Sequence, residues 1–86
     1  QNYPNPFNPS TTLRFRIVES GSVPLKVFNL LGKEVATLMN GHAKAGTFNI
    51  VWDASHQPSG VYIARLRSMS DSKQVSTESR RLMLIK

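Results

Sequence analysis

The sequence predicts an all-β fold, an antiparallel β-sandwich of about seven short strands. Three observations carry this. From Ser10 onward apolar residues recur with period two rather than 3.6. Clusters of Gly, Pro, Asn, Asp and Ser interrupt that alternation at intervals of roughly 8–12 residues, the spacing of a sandwich or barrel. No window sustains a helical period: residues 30–38 come nearest, and Gly32 and the β-branched Val35 argue against a helix there.

Residues 1–9 hold three prolines, at positions 4, 6 and 9. Each fixes its own φ and pushes the preceding residue out of the α region, so an extended arm is expected, with Tyr3 and Phe7 lying against the domain. The sandwich proper is expected over residues 10–86. Leu13, Phe15 and Ile17 alternate with Thr12, Arg14 and Arg16 in a first strand, which Glu19-Ser20-Gly21 ends. Leu25 and Val27 alternate with Lys26 and Phe28 in a second, where Pro24 is tolerable only at the start or on an edge. Leu31-Gly32-Lys33 turns the chain into a third strand over residues 35–39. Asn40-Gly41 and Ala45-Gly46 are the next two breaks, with His42 read as a solvated loop residue. Phe48, Ile50 and Trp52 form the core face of a fourth strand. After the turn Gln57-Pro58-Ser59-Gly60, a strand over residues 61–69 sets Tyr62, Ala64 and Leu66 opposite Ile63, Arg65 and Arg67. The last strand spans residues 75–85, with Leu82 and Leu84 on one face and Arg81, Met83 and Ile85 on the other.

A chain of 86 residues organises one core. It buries roughly 60–65% of the surface its unfolded form exposes. The longest apolar run is four residues, far below the ~20 that span a bilayer as a helix. Zero cysteines exclude disulfides, thiolate metal sites and thiol catalysis. A start at Gln1 with no basic-then-apolar leader suits the tail of something longer. The formal charge of +6 and the pI near 10.4 point to acidic partners or anionic surfaces.

Catalysis needs convergent titratable groups, and five carboxylates with two histidines offer little. No Gly-x-Ser-x-Gly elbow, His-Glu-x-x-His pair or phosphate-cradling glycine loop occurs. Asp53 suits a turn that bonds its own backbone, and the spacing of Asp53, His56 and His42 imposes no metal coordination. No enzyme, metal or cofactor is expected. The cations Arg65, Arg67, Arg80, Arg81 and Lys86 crowd the C-terminal quarter, and Arg65, Arg67, Arg80 and Arg81 are candidate contacts to an anionic surface. Nucleic acid would want aromatics exposed among the cations, whereas Phe15, Phe48, Trp52 and Tyr62 all fall on inferred core faces. Tyr62 is expected to be packed, its hydroxyl reaching a backbone partner.

Several ordered stretches carry a family resemblance. Tyr3-Pro4-Asn5-Pro6-Phe7-Asn8-Pro9-Ser10-Thr11-Thr12, followed by Leu13-Arg14-Phe15, resembles the opening of the C-terminal sorting domains of the type IX (Por) secretion system. Leu25-Lys26-Val27-Phe28-Asn29 with Leu31-Gly32-Lys33-Glu34-Val35, Ala45-Gly46-Thr47 with Val51-Trp52-Asp53, and Pro58-Ser59-Gly60-Val61-Tyr62 agree in order and spacing. The ending Arg81-Leu82-Met83-Leu84-Ile85-Lys86 is similar to that family's basic-apolar terminus. Similar strand patterns occur in the immunoglobulin-like domain of the flagellar hook-capping protein, a resemblance that implies an immunoglobulin-like sandwich but not a function.

The resemblance implies a non-catalytic address on a cargo protein lying N-terminal to it. The cargo is exported to the periplasm and then across the outer membrane of Bacteroidota-type bacteria. A surface sortase removes the domain, and the cargo is released or joined to anionic lipopolysaccharide. Carried over residue by residue, the recognition set is Pro58, Gly60 and Tyr62 in the turn motif and Leu82, Met83, Leu84, Ile85 and Lys86 in the terminal strand. Two departures from the family pattern are Pro24 and Met83. Two other readings stay open: a subunit that forms homo-oligomers by strand or arm exchange, and a carbohydrate-binding module, which requires an exposed Trp52 or Tyr62.

Overall fold

A computed structural model describes residues 10–85. The extended arm expected at residues 1–9, and Lys86, lie outside the described residues. The chain runs β1 (Ser10–Ile17), β2 (Gly21–Ser22), β3 (Leu25–Asn29), β4 (Glu34–Met39), β5 (His42–Ala43), β6 (Gly46–Asp53), β7 (Gly60–Ser70) and β8 (Val75–Leu84), with no helix among the described residues. This is the predicted all-β antiparallel sandwich, with eight strands in place of seven. The six strands given residue bounds from sequence are all present; β2 and β5, each two residues long, are the two without such bounds, and His42 belongs to β5 and not to a loop.

The two layers are unequal. β1 and β6 pair antiparallel over their whole length, Ser10 opposite Asp53 and Ile17 opposite Gly46. The other six strands form one sheet in which β7 is the hub. Along one side of β7 lie β3, from Leu25 opposite Leu66 to Asn29 opposite Tyr62, and then β2. Along its other side β8 pairs from Gly60 opposite Leu84 to Met69 opposite Val75. β4 and β5 extend the sheet beyond β3 and β2, and two register shifts irregularise the β3–β4 ladder.

The alternating apolar residues put the core between these layers. Leu13, Phe15 and Ile17 of β1 face Leu25 and Val27 of β3 and Tyr62, Ala64 and Leu66 of β7, all buried. Burial of this set supplies the main stabilisation, at roughly 1.5–3 kcal/mol for each large side chain. Phe48 and Ile50, expected in the core, are half-buried and pack on its margin, because the two-stranded sheet is too narrow to be covered fully from the other side. Trp52 is buried, and its ring meets that of Tyr62 at 5.2 Å between centroids and 68° between planes. This edge-to-face contact joins the two sheets.

Turn chemistry follows the residue types. Asn29 Oδ1 accepts the N–H groups of Leu31 and Lys33, both at 3.0 Å, and organises the β3–β4 turn. Asp53 accepts the N–H of Ser55 at 3.0 Å, the expected Asx turn, and its carboxyl is held below its ordinary range by the backbone and side-chain hydrogen bonds from Ser55. Pro24 stands just before β3, where its missing N–H breaks no ladder bond, and its carbonyl accepts the N–H of Arg67 at 3.1 Å. His42 Nε2 lies 3.2 Å from Asp71 Oδ1, tying β5 to the β7–β8 turn.

A candidate recognition surface

The turn motif and the terminal strand, remote in sequence, meet in the structure. Gly60 pairs with Leu84, Val61 with Met83 and Tyr62 with Leu82. Inward-facing Tyr62 and Leu84 are buried, and Leu82 is half-buried against the core. The Tyr62 hydroxyl donates to the carbonyl oxygen of Pro58 at 2.6 Å, as expected, and so closes the turn on the core. A tyrosine bonding back to the backbone a few residues upstream resembles the tyrosine corner of immunoglobulin-like sandwiches. Gly60 has φ +155°, a backbone conformation that side-chain-bearing residues rarely adopt, which explains glycine there. Replacing Tyr62 with phenylalanine should keep the ring contact with Trp52 and lose only this hydrogen bond. The expected cost is about 0.5–1.5 kcal/mol in urea unfolding, and a change near zero would show the bond to be unimportant.

Outward from this pairing the surface is apolar. Met83 is 65% exposed and Ile85 58%. On the far side of the Pro58 turn stand Leu30 and Leu31, the latter 93% exposed. A cleft of about 550 Å3 separates the two turns, lined by Leu30, Leu31, Val35, Pro58, Val61 and Tyr62. Two adjacent leucines at the tip of a rigid turn gain nothing from the core, and clustered exposed apolar residues mark interaction sites. Its sequence signals only a turn, and the one hint of a further role is a tip that is apolar where turns are usually polar.

Beside the apolar end, the outer face of the large sheet is cationic. Arg65 and Arg67 project from β7, Arg81 from β8 opposite Ile63, and Lys26 from β3 opposite Arg65. Lys26 Nζ lies 3.2 Å from Glu34, whose carboxyl is held below its ordinary range by the Thr37 hydroxyl and by Lys26. The Arg65 guanidinium lies over the Phe28 ring at 4.5 Å. Among the described residues no carboxylate pairs with Arg65, Arg67 or Arg81. Arg80 separates from this group: its parity puts it on the inward side of β8, where its guanidinium covers the Phe15 ring at 4.8 Å and its Nε donates to Glu78 at 3.2 Å. The four arginines grouped by their charge therefore do not share one face.

The remaining candidates also resolve. Trp52 and Tyr62 are 4% and 3% exposed, so they offer no stacking platform to a sugar, and the carbohydrate reading built on them falls. Asp53 is engaged with Ser55 and His42 with Asp71, so the structure does not bring Asp53, His56 and His42 together.

No curated protein and no solved structure matches the chain. The family model for the Secretion system C-terminal sorting domain matches residues 1–78. That span takes in Pro58, Gly60, Tyr62, Arg65 and Arg67 and stops before residues 80–86. With a match over most of its length and a sandwich of the expected kind, the chain belongs to the family of secretion-system C-terminal sorting domains, which address proteins to the type IX machinery for export to the cell surface or beyond.

Proposed function

We propose that the type IX translocon reads the apolar end of this domain: the Pro58 turn, the paired residues 82–85 and the Leu30–Leu31 tip. The observation that carries this reading is the in-register pairing of residues 60–62 with 82–84, beside which Met83 and Ile85 are exposed, while exposed Leu30 and Leu31 line a cleft with Pro58 and Val61. A preordered surface costs little entropy on docking. β8 is hydrogen-bonded on one side only among the described residues, so a partner strand can extend the sheet along residues 82–85. In this reading the domain passes through the periplasm folded, docks by its apolar end, and is removed from the cargo by a surface sortase. The cationic face of Arg65, Arg67 and Arg81 then lies against anionic lipopolysaccharide.

The test is a reporter carrying the 86 residues at its C-terminus in a type IX-competent strain. Surface export is expected for the parent, and loss of at least about tenfold for a chain lacking residues 82–86. Because that deletion also removes the core residue Leu84, the exposed substitutions Leu31→Asp and Met83→Asp are the sharper arm. They should abolish export while leaving the unfolding midpoint of the isolated domain almost unchanged, since exposed replacements usually cost within about 0.5 kcal/mol. Export at parental levels from both substituted chains overturns the reading.

A further inference from the structure

The two sheets meet on one flank only. There the β6 backbone approaches β4, whereas on the opposite flank the backbones of β1 and β8 stay apart, bridged by Arg80 lying over the Phe15 ring, each strand with one edge unpaired among the described residues. A groove of about 780 Å3 opens here, running from Glu78 and Arg80 of β8 past Arg14 and Arg16 of β1 to Gly46 and Thr47 of β6, within the range of roughly 300–1,000 Å3 typical of binding clefts. It shares Arg16, Ile17, Val18 and Glu78 with a neighbouring cavity of about 100 Å3 that reaches Leu66 and Ser68 of β7. The groove meets the open edge of β8 at residues 76–80, whereas the apolar end uses that edge at residues 82–85.

Three features of the groove bear on what fills it. Unpaired strand edges present rows of N–H and C=O groups, which match only another extended backbone. The lining of the wider part carries three cations, Arg14, Arg16 and Arg80, against Glu78, which Arg80 already engages; the narrower stretch adds Glu19, which accepts from the Ser72 hydroxyl at 3.2 Å. Among the described residues Arg14 and Arg16 have no carboxylate partner. Val18, 77% exposed, adds an apolar contact at the rim. A second copy of this chain is a poor occupant, because it brings a net +6 and the same arginines to the same edge, and like charges set opposite each other across strands are destabilising.

We propose that this groove binds one extended acidic segment of a partner polypeptide, which adds as a strand to the open edge of β1 or β8 and sets its carboxylates against Arg14 and Arg16. The charges here do more than blunt an edge: two unpaired guanidiniums on alternate residues of β1 match carboxylates on alternate residues of an added strand.

The test uses the 86-residue chain and a dye-labelled decapeptide alternating glutamate with valine and threonine, followed by fluorescence anisotropy. Saturable binding is expected that weakens with added salt. Three changes should each weaken it by about tenfold, equivalent to about 1.4 kcal/mol: lysine for glutamate in the peptide, backbone N-methylation at alternate peptide residues, and Arg14→Glu with Arg16→Glu in the protein. Should the double variant unfold, amide shift mapping on the unaltered chain replaces that arm, with shifts expected on β1 and β8 and not on β4. No binding of the acidic peptide, or equal binding of the lysine peptide, overturns the proposal. So does undiminished binding of the N-methylated peptide, which would reveal bare charge attraction, or a concentration-dependent dimer that the double variant abolishes.

Discussion

Replacing Trp52 with alanine should remove most of the stability of the domain. The indole is 4% exposed and, with Tyr62, makes the aromatic contact between β6 of the small sheet and β7 of the large one. Truncating a buried tryptophan costs about 3–5 kcal/mol through lost transfer energy and the cavity left behind. The edge-to-face partner adds about 0.5–1.5 kcal/mol. At about 0.05–0.15 kcal/mol per residue, a domain of 86 residues holds only about 4–13 kcal/mol in total. Urea denaturation should therefore show either a collapse of the midpoint or a chain unfolded in buffer. Trp52→Phe, which keeps a ring against Tyr62, should retain a cooperative transition. A loss below about 1 kcal/mol for the alanine variant would mean that the sheets are held together elsewhere. The consequence for function is direct, since Tyr62 positions the Pro58 turn.

The second large effect is expected at Gly21, where the smallest possible substitution meets backbone. A Cβ built there falls 2.1 Å from the carbonyl oxygen of Met69 and 2.6 Å from Cα of Ser70. Neither can rotate away, so β2 must leave β7. β2 is two residues long and, among the described residues, is the one strand with which β5 pairs, so Gly21→Ala loosens both and leaves β5 held by the His42–Asp71 contact. Overpacking of this kind costs typically about 1–3 kcal/mol, occasionally more. Beyond a lower melting temperature, the amide of Asp71 should lose hydrogen-exchange protection, because it donates to Ser20 at 2.9 Å across the same junction. Protection unchanged at Asp71 would place the glycine requirement outside this close approach.

How far the fold could be read from sequence depended on the length of each element. Strands of five or more residues show their period directly: buried Leu13, Phe15 and Ile17, or Tyr62, Ala64 and Leu66, are the alternation itself. A two-residue strand has no period, so β2 and β5 were invisible, and His42 was read as a loop residue. Pairing is a long-range property that turn signals do not encode, so nothing local disclosed that β8 runs the full length of β7. The candidate surface was legible in two halves, from motifs, but not as one surface. Arg80 is a different case, because its face was legible: its even number aligns it with Leu82 and Leu84, and grouping by charge overrode parity. The exposed leucines of the β3–β4 turn went unread because an apolar residue between strands carries no pattern that says whether it is covered.

The pairing of Gly60 with Leu84 and of Tyr62 with Leu82 also orders events in time. A polypeptide emerging from the ribosome completes the Pro58 turn more than twenty residues before the strand that lies beside it exists. Until residue 84 has been added and has zipped onto β7, the apolar end is half a surface with an unpaired edge. On the proposed reading, a translocon that docks there certifies that the chain extends through residue 84 as well as its identity. Chains truncated by premature termination or proteolysis lack the second half and are refused, without any separate machinery to inspect them.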